Sequence, residues 1–524
     1  MLGGGEKMSR SENSFKNIGA SLLMTVINIA LGFITQKIFA HQLGTINLGL
    51  NGLFTNIISV LSIADLGIGT AIVFNMYRPI SQNNIEKIKT LMSLYKKSYR
   101  IIAGAVLILG ILILPFLKVI IGSNNIDIID SSINIYLLFS LYLFDTVFSY
   151  LLTYKRSMLY ANQKNYIINL IHTVCILFMY SLQIIILLIF KNFYLYLIVR
   201  IVCRLVENII INIRTDKIYP FLRDKDIKKI DENTKIDISR RVKASIFHNI
   251  GGYIVLGTDN IIISLFIGIE MVGLYSNYLL IINALNNLIG QIFSSITASV
   301  GNLLIEKDYK KINNLCDNFN YINYWIYVIA GCMLCCCVQP FIMIWLGRDY
   351  LLSTIVVVIL AINFFAQGMR KTMQVFTEAG GICYENRFVP VVEALVNIVF
   401  SVLLAKLIGL PGVFIGTILS SLVLHFYSYP KYVYRNLLQR NFTDYIKQFA
   451  IKTAIFLMIL FSCIFIIKFI SFNNIFINLI VNALVSFSIS LGALYFLYRK
   501  SDSYRYFIYL LGELKKKIFK KTKL

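Results

Sequence analysis

Arg200 and Arg204 stand four residues apart inside the apolar run "YLYLIVRIVCRLVENIIINIR" (194–214), and Glu207 follows three residues later. Those spacings put all three on one helical face. The run is long enough to cross a bilayer, and an arginine at the bilayer centre costs about 2.5–3.5 kcal/mol even on the lenient insertion scale. At about 1.5 Å per residue from an outer end near Phe193, Arg204 lies roughly 16 Å deep. Two readings follow. In one, Arg204 pairs with Glu207 along the helix and Arg200 has no named partner. In the other, the face is a cationic site for an anionic group, with Arg200, Arg204 and Glu207 as its binding residues. Guanidinium suits phosphate because its planar fork donates two parallel hydrogen bonds and stays charged.

Four further ionisable residues stand inside apolar runs: Asp65 ("SIADLGIG"), Asp145 ("LYLFDTVFS"), His172 ("NLIHTVC") and Asp259 ("LGTDNIII"). Each is a candidate to bind a coupling proton or sodium ion, and each equally suits a structural pair with an arginine or a cap on a broken helix. Glu393 and His425 are weaker candidates of the same kind. Arg370 and Lys371 come about 19 residues into their span, near its inner end. They read as a snorkelling anchor or, for Arg370, as a contact for a lipid headgroup in a cytoplasmic vestibule. "CMLCCC" (332–337) has no His, Asp or Glu beside it, so helix packing is favoured over a thiolate metal site. No cofactor and no disulfide framework is expected.

The elements that must carry these residues are membrane spans. Of 524 residues 57% are hydrophobic and 15% charged, and the mean hydropathy is +0.72, which excludes an ordinary soluble chain. Fourteen spans are expected near 17–36, 48–77, 101–121, 132–154, 166–190, 193–213, 244–268, 274–300, 319–346, 351–369, 388–408, 411–430, 453–472 and 475–498. The net charge of +24 does not point to nucleic acid, because its placement follows topology. With the N-terminus inside, 42 of the 50 basic residues fall in inner segments and 6 in outer ones, the remaining two being Arg200 and Arg204. That is the positive-inside pattern, and it puts both termini in the cytoplasm. The start "MLGGGEKMSRSENSFKN" has no apolar core of a signal peptide. Its "LGGGEK" resembles a translated ribosome-binding site, so Met8 is the expected natural start.

A repeat divides the chain. "FAHQLGTINLGL" (39–50) and "ISLFIGIEMVGL" (263–274) align at an offset of 224, matching Gly44 with Gly268, Gly49 with Gly273 and Leu50 with Leu274. Six intervening spans give the two halves one orientation, a common transporter plan. The expected domains are an N-terminal lobe of six helices (1–213), a charged cytoplasmic linker (214–243), a C-terminal lobe of six helices (244–436), and two further helices with a basic tail (437–524) suited to anionic lipid. Gly409, Gly412 and Gly416 around Pro411 read as close helix packing. Neither a Walker A nor a metalloprotease motif occurs, and the outer loops are short, so an enzyme is not expected.

Three stretches, "GLNGLFTNIISVLSIADLGIGTAIVFNMYRPI" (49–80) with "LMSLYKKSYRII" (91–102), "GTDNIIISLFIG" with "VGLYSNY", and "EALVNIVFSVLLAKLIGLPGVFIGTILSSL" (393–422), closely resemble Wzx-type polysaccharide flippases. The likeness runs over about residues 14–435. These belong with MATE exporters and the flippase MurJ in the MOP superfamily. The resemblance implies an all-α fold of about fourteen transmembrane helices, two six-helix lobes plus a C-terminal pair. It implies alternating-access export of undecaprenyl-diphosphate-linked oligosaccharide across the bacterial cytoplasmic membrane, for capsule, exopolysaccharide or O-antigen synthesis. The implied partners are that glycolipid, membrane lipids, a coupling proton or sodium ion, and polysaccharide polymerase machinery. Arg200 and Arg204 are the best candidates for the diphosphate contact that cavity arginines make in such flippases. A MATE-like small-molecule exporter and a membrane-embedded polymerase remain the alternatives.

Overall fold

The computed structural model describes residues 10–62, 68–122, 127–224, 231–306, 308–382, 388–426, 428–470, 472–509 and 512. Asp65, the first seven residues, linker positions 225–230 and the basic tail from 513 lie outside the described residues, as does the His425 side chain.

Among the described residues every regular element is a helix. In order they are α1 (Arg10–Leu61), α2 (Ile68–Ser81), α3 (Ile85–Ile113), α4 (Ile135–Thr153), a short α5 (Arg156–Ala161), α6 (Asn165–Ile189), α7 (Phe193–Ile218), α8 (Glu232–Phe266) and α9 (Ile269–Glu306). There follow α10 (Tyr309–Trp345), α11 (Thr354–Met369), α12 (Lys371–Ala379), α13 (Val389–Ile408), α14 (Leu410–Phe426), α15 (Phe442–Phe469) and α16 (Ile475–Tyr498), besides shorter turns. Nine described helical segments are long and apolar enough to cross a membrane. The segment holding α7 is not among them, because Arg200, Arg204 and Glu207 interrupt its apolar middle. Asparagine and aspartate side chains start several of these helices, as their reach back to free backbone N–H groups favours. Asn84 accepts from Lys87 N, Asn134 from Tyr136 N and Leu137 N, Asn192 from Leu195 N, and Asp231 from Thr234 N. The hydroxyl and backbone N–H of Thr234, with Lys87 nearby, hold the Asp231 carboxyl down at about 2.

Two compact units make up the chain, residues 1–288 and 289–524. The first therefore continues past the linker through α8 into α9. Within it α1 breaks at Gly44, whose φ of 82° lies in the left-handed region that glycine alone enters cheaply. Its repeat partner Gly268, between α8 and α9, has φ 142°. The two repeat segments meet reciprocally. A Cβ on Gly49 would lie 2.1 Å from the carbonyl oxygen of Ile269, and one on Gly273 would lie 2.1 Å from that of Thr45. Thr45 and Ile269 are themselves separated by the repeat offset of 224, so the contact is two-fold symmetric. A Cβ on Gly52 would come 2.6 Å from Oγ of Ser276, its own repeat mate.

In the second unit α13 and α14 form a tight pair. A Cβ on Gly412 would lie 2.2 Å from Leu404 O, and one on Gly416 2.4 Å from Ser401 Oγ, while Gly409 turns the chain at φ 69°. The rings of Phe365 on α11 and Phe456 on α15 stack at 4.0 Å. Cys332 and Cys336 are buried on α10, where the Cys336 carbonyl accepts from Asn482 on α16 at 3.1 Å.

Candidate functional site

Helix α7 is held against α4 at both ends. The Asn134 backbone N–H donates to the Tyr194 hydroxyl at 2.6 Å, and Asn212 Nδ2 donates to the Leu152 carbonyl at 3.1 Å. Gln183 on α6 donates to the Tyr196 carbonyl at 3.2 Å. This frame turns the Arg200–Arg204 face toward Asp145 of α4. Arg204 Nη1 donates to Asp145 Oδ2 at 2.8 Å, and Arg200 Nε lies 3.3 Å from the same oxygen. Arg200 is near enough for an ion pair but not aligned as a hydrogen bond, and its Nε, like Asp145 Oδ1, is buried with no hydrogen-bond partner. The Arg200 guanidinium also stands 4.6 Å over the Tyr142 ring, a cation–π contact. Tyr142 sits one turn before Asp145, and its hydroxyl donates to Asn51 Oδ1 of α1.

Two guanidinium groups thus share one carboxylate, leaving a surplus positive charge at mid-helix depth. The group borders a cavity of about 330 Å³ whose lining includes Thr55, Ser59, Thr146 and Ser149 beside Arg200 and Arg204. Asp145 is almost sealed, its side chain 3% exposed, whereas that of Arg204 is 43% exposed. The cavity is therefore edged by hydroxyls, of which Ser59 and Thr146 donate to the carbonyls of Thr55 and Tyr142, and by one accessible guanidinium, so an oxyanion entering it meets the guanidinium groups as its charged donors.

Glu207 does not pair with Arg204. It takes Arg156 Nη2 at 2.6 Å and His172 Nδ1 at 3.1 Å, and Arg156 Nη2 also donates to Asn208 Oδ1 at 2.8 Å. The reason is angular: Glu207 is buried toward α5 and α6, while Arg204 turns to α4. Arg156, which charge counting assigns to an inner loop, reaches this cluster because the chain resumes helical structure at α5 immediately after α4. The only sequence signal for it is the basic pair "KR" directly at the end of an apolar span.

Of the remaining candidates, Asp145 is the counter-charge of the arginines and His172 a partner of Glu207. Asp259 is buried on α8, near Tyr275, and does not line the arginine cavity. Arg370 lies in the second unit at the end of α11, where its Nη1 donates to Glu393 Oε1 at 2.6 Å. Both side chains are largely buried, so Arg370 is not open as Arg204 is. No group of His, Cys, Asp and Glu among the described residues is arranged to hold a metal.

A family model described as "Polysaccharide biosynthesis protein" matches residues 14–298, more than half of the chain and all of the arginine site. The chain belongs to this family. No curated protein sequence matches it significantly. Among solved structures it is similar to the lipid II flippase MurJ in an inward closed conformation, with TM-score 0.62 and 14% identity over 91% of this chain and 98% of that one. A MATE transporter of Vibrio cholerae gives TM-score 0.55 and 14% identity, covering 82% of this chain and 100% of its own. An inward-facing MATE multidrug resistance transporter of the MOP superfamily gives 0.52 and 13%, covering 78% and 95%. The chain thus has an all-α, multi-pass membrane architecture and shares its fold with MurJ and these MATE transporters.

Proposed function

We propose that the chain is a flippase that carries a polyprenyl-diphosphate-linked oligosaccharide from the inner to the outer leaflet of the bacterial cytoplasmic membrane, by alternating access. The observation that supports it is the pairing of two arginines with a single carboxylate partway along α7 beside a hydroxyl-lined cavity. A diphosphate cannot enter hydrocarbon unaided, since an isolated buried anion is strongly disfavoured. Arg200 and Arg204 offset its charge, the serine and threonine hydroxyls contact the first sugar, and the prenyl chain stays in lipid. As the diphosphate arrives it replaces Asp145 as partner of the guanidinium groups, and on release Asp145 takes them back. Both termini lie in the cytoplasm in this reading, as the basic inner segments require.

A cation exporter fits less well. Its cavity would present free carboxylates, but Asp145 is held by two arginines and Glu207 by Arg156 and His172. The test is mass spectrometry of polyprenyl-linked glycans in cells depleted of the protein, with a membrane-impermeant label reporting the leaflet. Complete repeat units trapped on the cytoplasmic side are the expected result. Repeat units accumulating outside would contradict flipping and indicate polymerisation, and no accumulation would indicate a small-molecule exporter.

A further inference from the structure

A second cavity in the first unit, about 710 Å³, is lined by Lys89, Lys96, Lys97 and Arg100 of α3, by Lys155 at the start of α5, and by Arg223 after α7. On α3 Lys89, Ser93, Lys96, Lys97 and Arg100 recur at helical spacing, so one face of the helix carries four bases around a serine. Basic stripes at the inner end of spans ordinarily splay toward lipid headgroups. Here bases from three separate elements converge on one hollow instead. Two carboxylates answer them. Asp224 takes Lys89 at 2.6 Å, and Asp216 takes Lys155 at 2.5 Å with Arg223 at 3.7 Å. Lys96, Lys97 and Arg100 make no ion pair among the described residues. Tyr154 lies between Lys96 and Lys155, with its ring 5.6 Å and 5.8 Å from their ammonium groups. The hollow is open to solvent and Lys96, Lys97 and Arg100 are exposed, so the clustered positive charge raises the local concentration of anions there, and the volume is that of a small-ligand pocket.

We propose that this hollow is a phosphate-binding site, taking a diphosphate or phosphomonoester group before it reaches Arg200 and Arg204. Its placement at the cytoplasmic end rests on the orientation given under the proposed function; the binding chemistry does not. Lys96, Lys97 and Arg100 supply the charge, Lys89 and Lys155 are tethered at the wall, and Tyr154 keeps two ammonium groups apart. The phosphate is either that of a lipid headgroup or that of a free solute.

The test is calorimetric titration of inorganic diphosphate into the purified full chain in neutral phosphatidylcholine nanodiscs. In the Arg200→Gln, Arg204→Gln background, where the mid-span site takes no diphosphate, replacement of all three unpaired bases (Lys96→Gln, Lys97→Gln, Arg100→Gln) is expected to weaken binding roughly 100-fold, about fivefold for each charge removed. The charge-keeping set Lys96→Arg, Lys97→Arg, Arg100→Lys should stay within about threefold of the wild type. Arg200→Gln with Arg204→Gln should leave this binding in place, so failure of the mid-membrane site and failure of this one read differently. If the triple variant does not fold, Lys97→Gln alone, about fivefold weaker, carries the test. Polyprenyl diphosphate or phosphatidylglycerol in the disc identifies the source: displacement of inorganic diphosphate assigns the site to a lipid headgroup, and no displacement to a soluble phosphate. Wild-type protein that binds no diphosphate, or a triple variant that binds it unchanged, overturns the proposal.

Discussion

Two buried arginine–carboxylate groups, one in each unit, use the same chemistry to different ends. In the second unit Arg370 and Glu393 match one cation to one anion at 2.6 Å, with side chains 13% and 5% exposed. In the first unit Arg200 and Arg204 divide one carboxylate, and Arg204 keeps 43% of its side chain open to a cavity. A balanced, closed pair is what a buried ion pair needs merely to offset its own desolvation. An unbalanced, open one carries a charge that nothing in the resting fold neutralises. Surplus charge beside space, rather than burial of charge as such, marks the site.

The largest effect should come from emptying the surplus. Arg200→Ala with Arg204→Ala removes two charge-assisted contacts, each worth about 1.5–3 kcal/mol, so export measured by leaflet-resolved labelling should fall by about 100-fold or more. The double change strands the sealed Asp145 carboxylate, so it should be made together with Asp145→Asn; in that triple variant melting temperature should hold, and full export would remove the site from the mechanism. Lys at both positions should restore only part of the activity, since the bidentate fork is lost.

Breaking the balanced pair should act on stability instead. Glu393→Ala strands Arg370 in the interior and is expected to cost about 3–5 kcal/mol, whereas Glu393→Leu with Arg370→Met should cost little. Thermal unfolding in detergent distinguishes the two. An equal loss of export without loss of stability in Glu393→Ala would make that pair functional and erase the contrast. A smaller effect is expected at the crossing of the repeats. Gly49→Val pushes a side chain into the Ile269 carbonyl and should cost about 1–3 kcal/mol, while the same change at Gly104, which has open space around it, should cost less.

Much of the architecture was legible from hydropathy, because a span must satisfy its backbone internally and so declares itself as one long apolar helix. The repeat was legible through Gly44 and Gly268, since a positive φ leaves few alternatives to glycine. Arg200 and Arg204 announced themselves by depth. Their partner did not: Asp145 lies 59 residues earlier, and helical periodicity reveals a face but not the helix that will meet it. For the same reason Glu207 could be paired with Arg204 on spacing alone, when the fold brings in Arg156 from 51 residues away and His172 from 35. Arg156 was hidden by the rule that made the topology readable, which counts a base at a span's end as loop. Distance along the span likewise said nothing of Glu393, which pairs with Arg370 from 23 residues away. Asp65 lies outside the described residues.

The most direct test of the central claim is the affinity of the purified protein for polyprenyl diphosphate in nanodiscs, compared between the wild type and Asp145→Asn, with the α3 bases Lys96, Lys97 and Arg100 replaced by Gln in both. If the lipid's diphosphate takes the place of Asp145 on the two guanidinium groups, removing that competing carboxylate should tighten binding by about tenfold or more. Unchanged or weaker binding by a folded Asp145→Asn protein would contradict the account, because the arginines would then belong to the fold and not to the substrate.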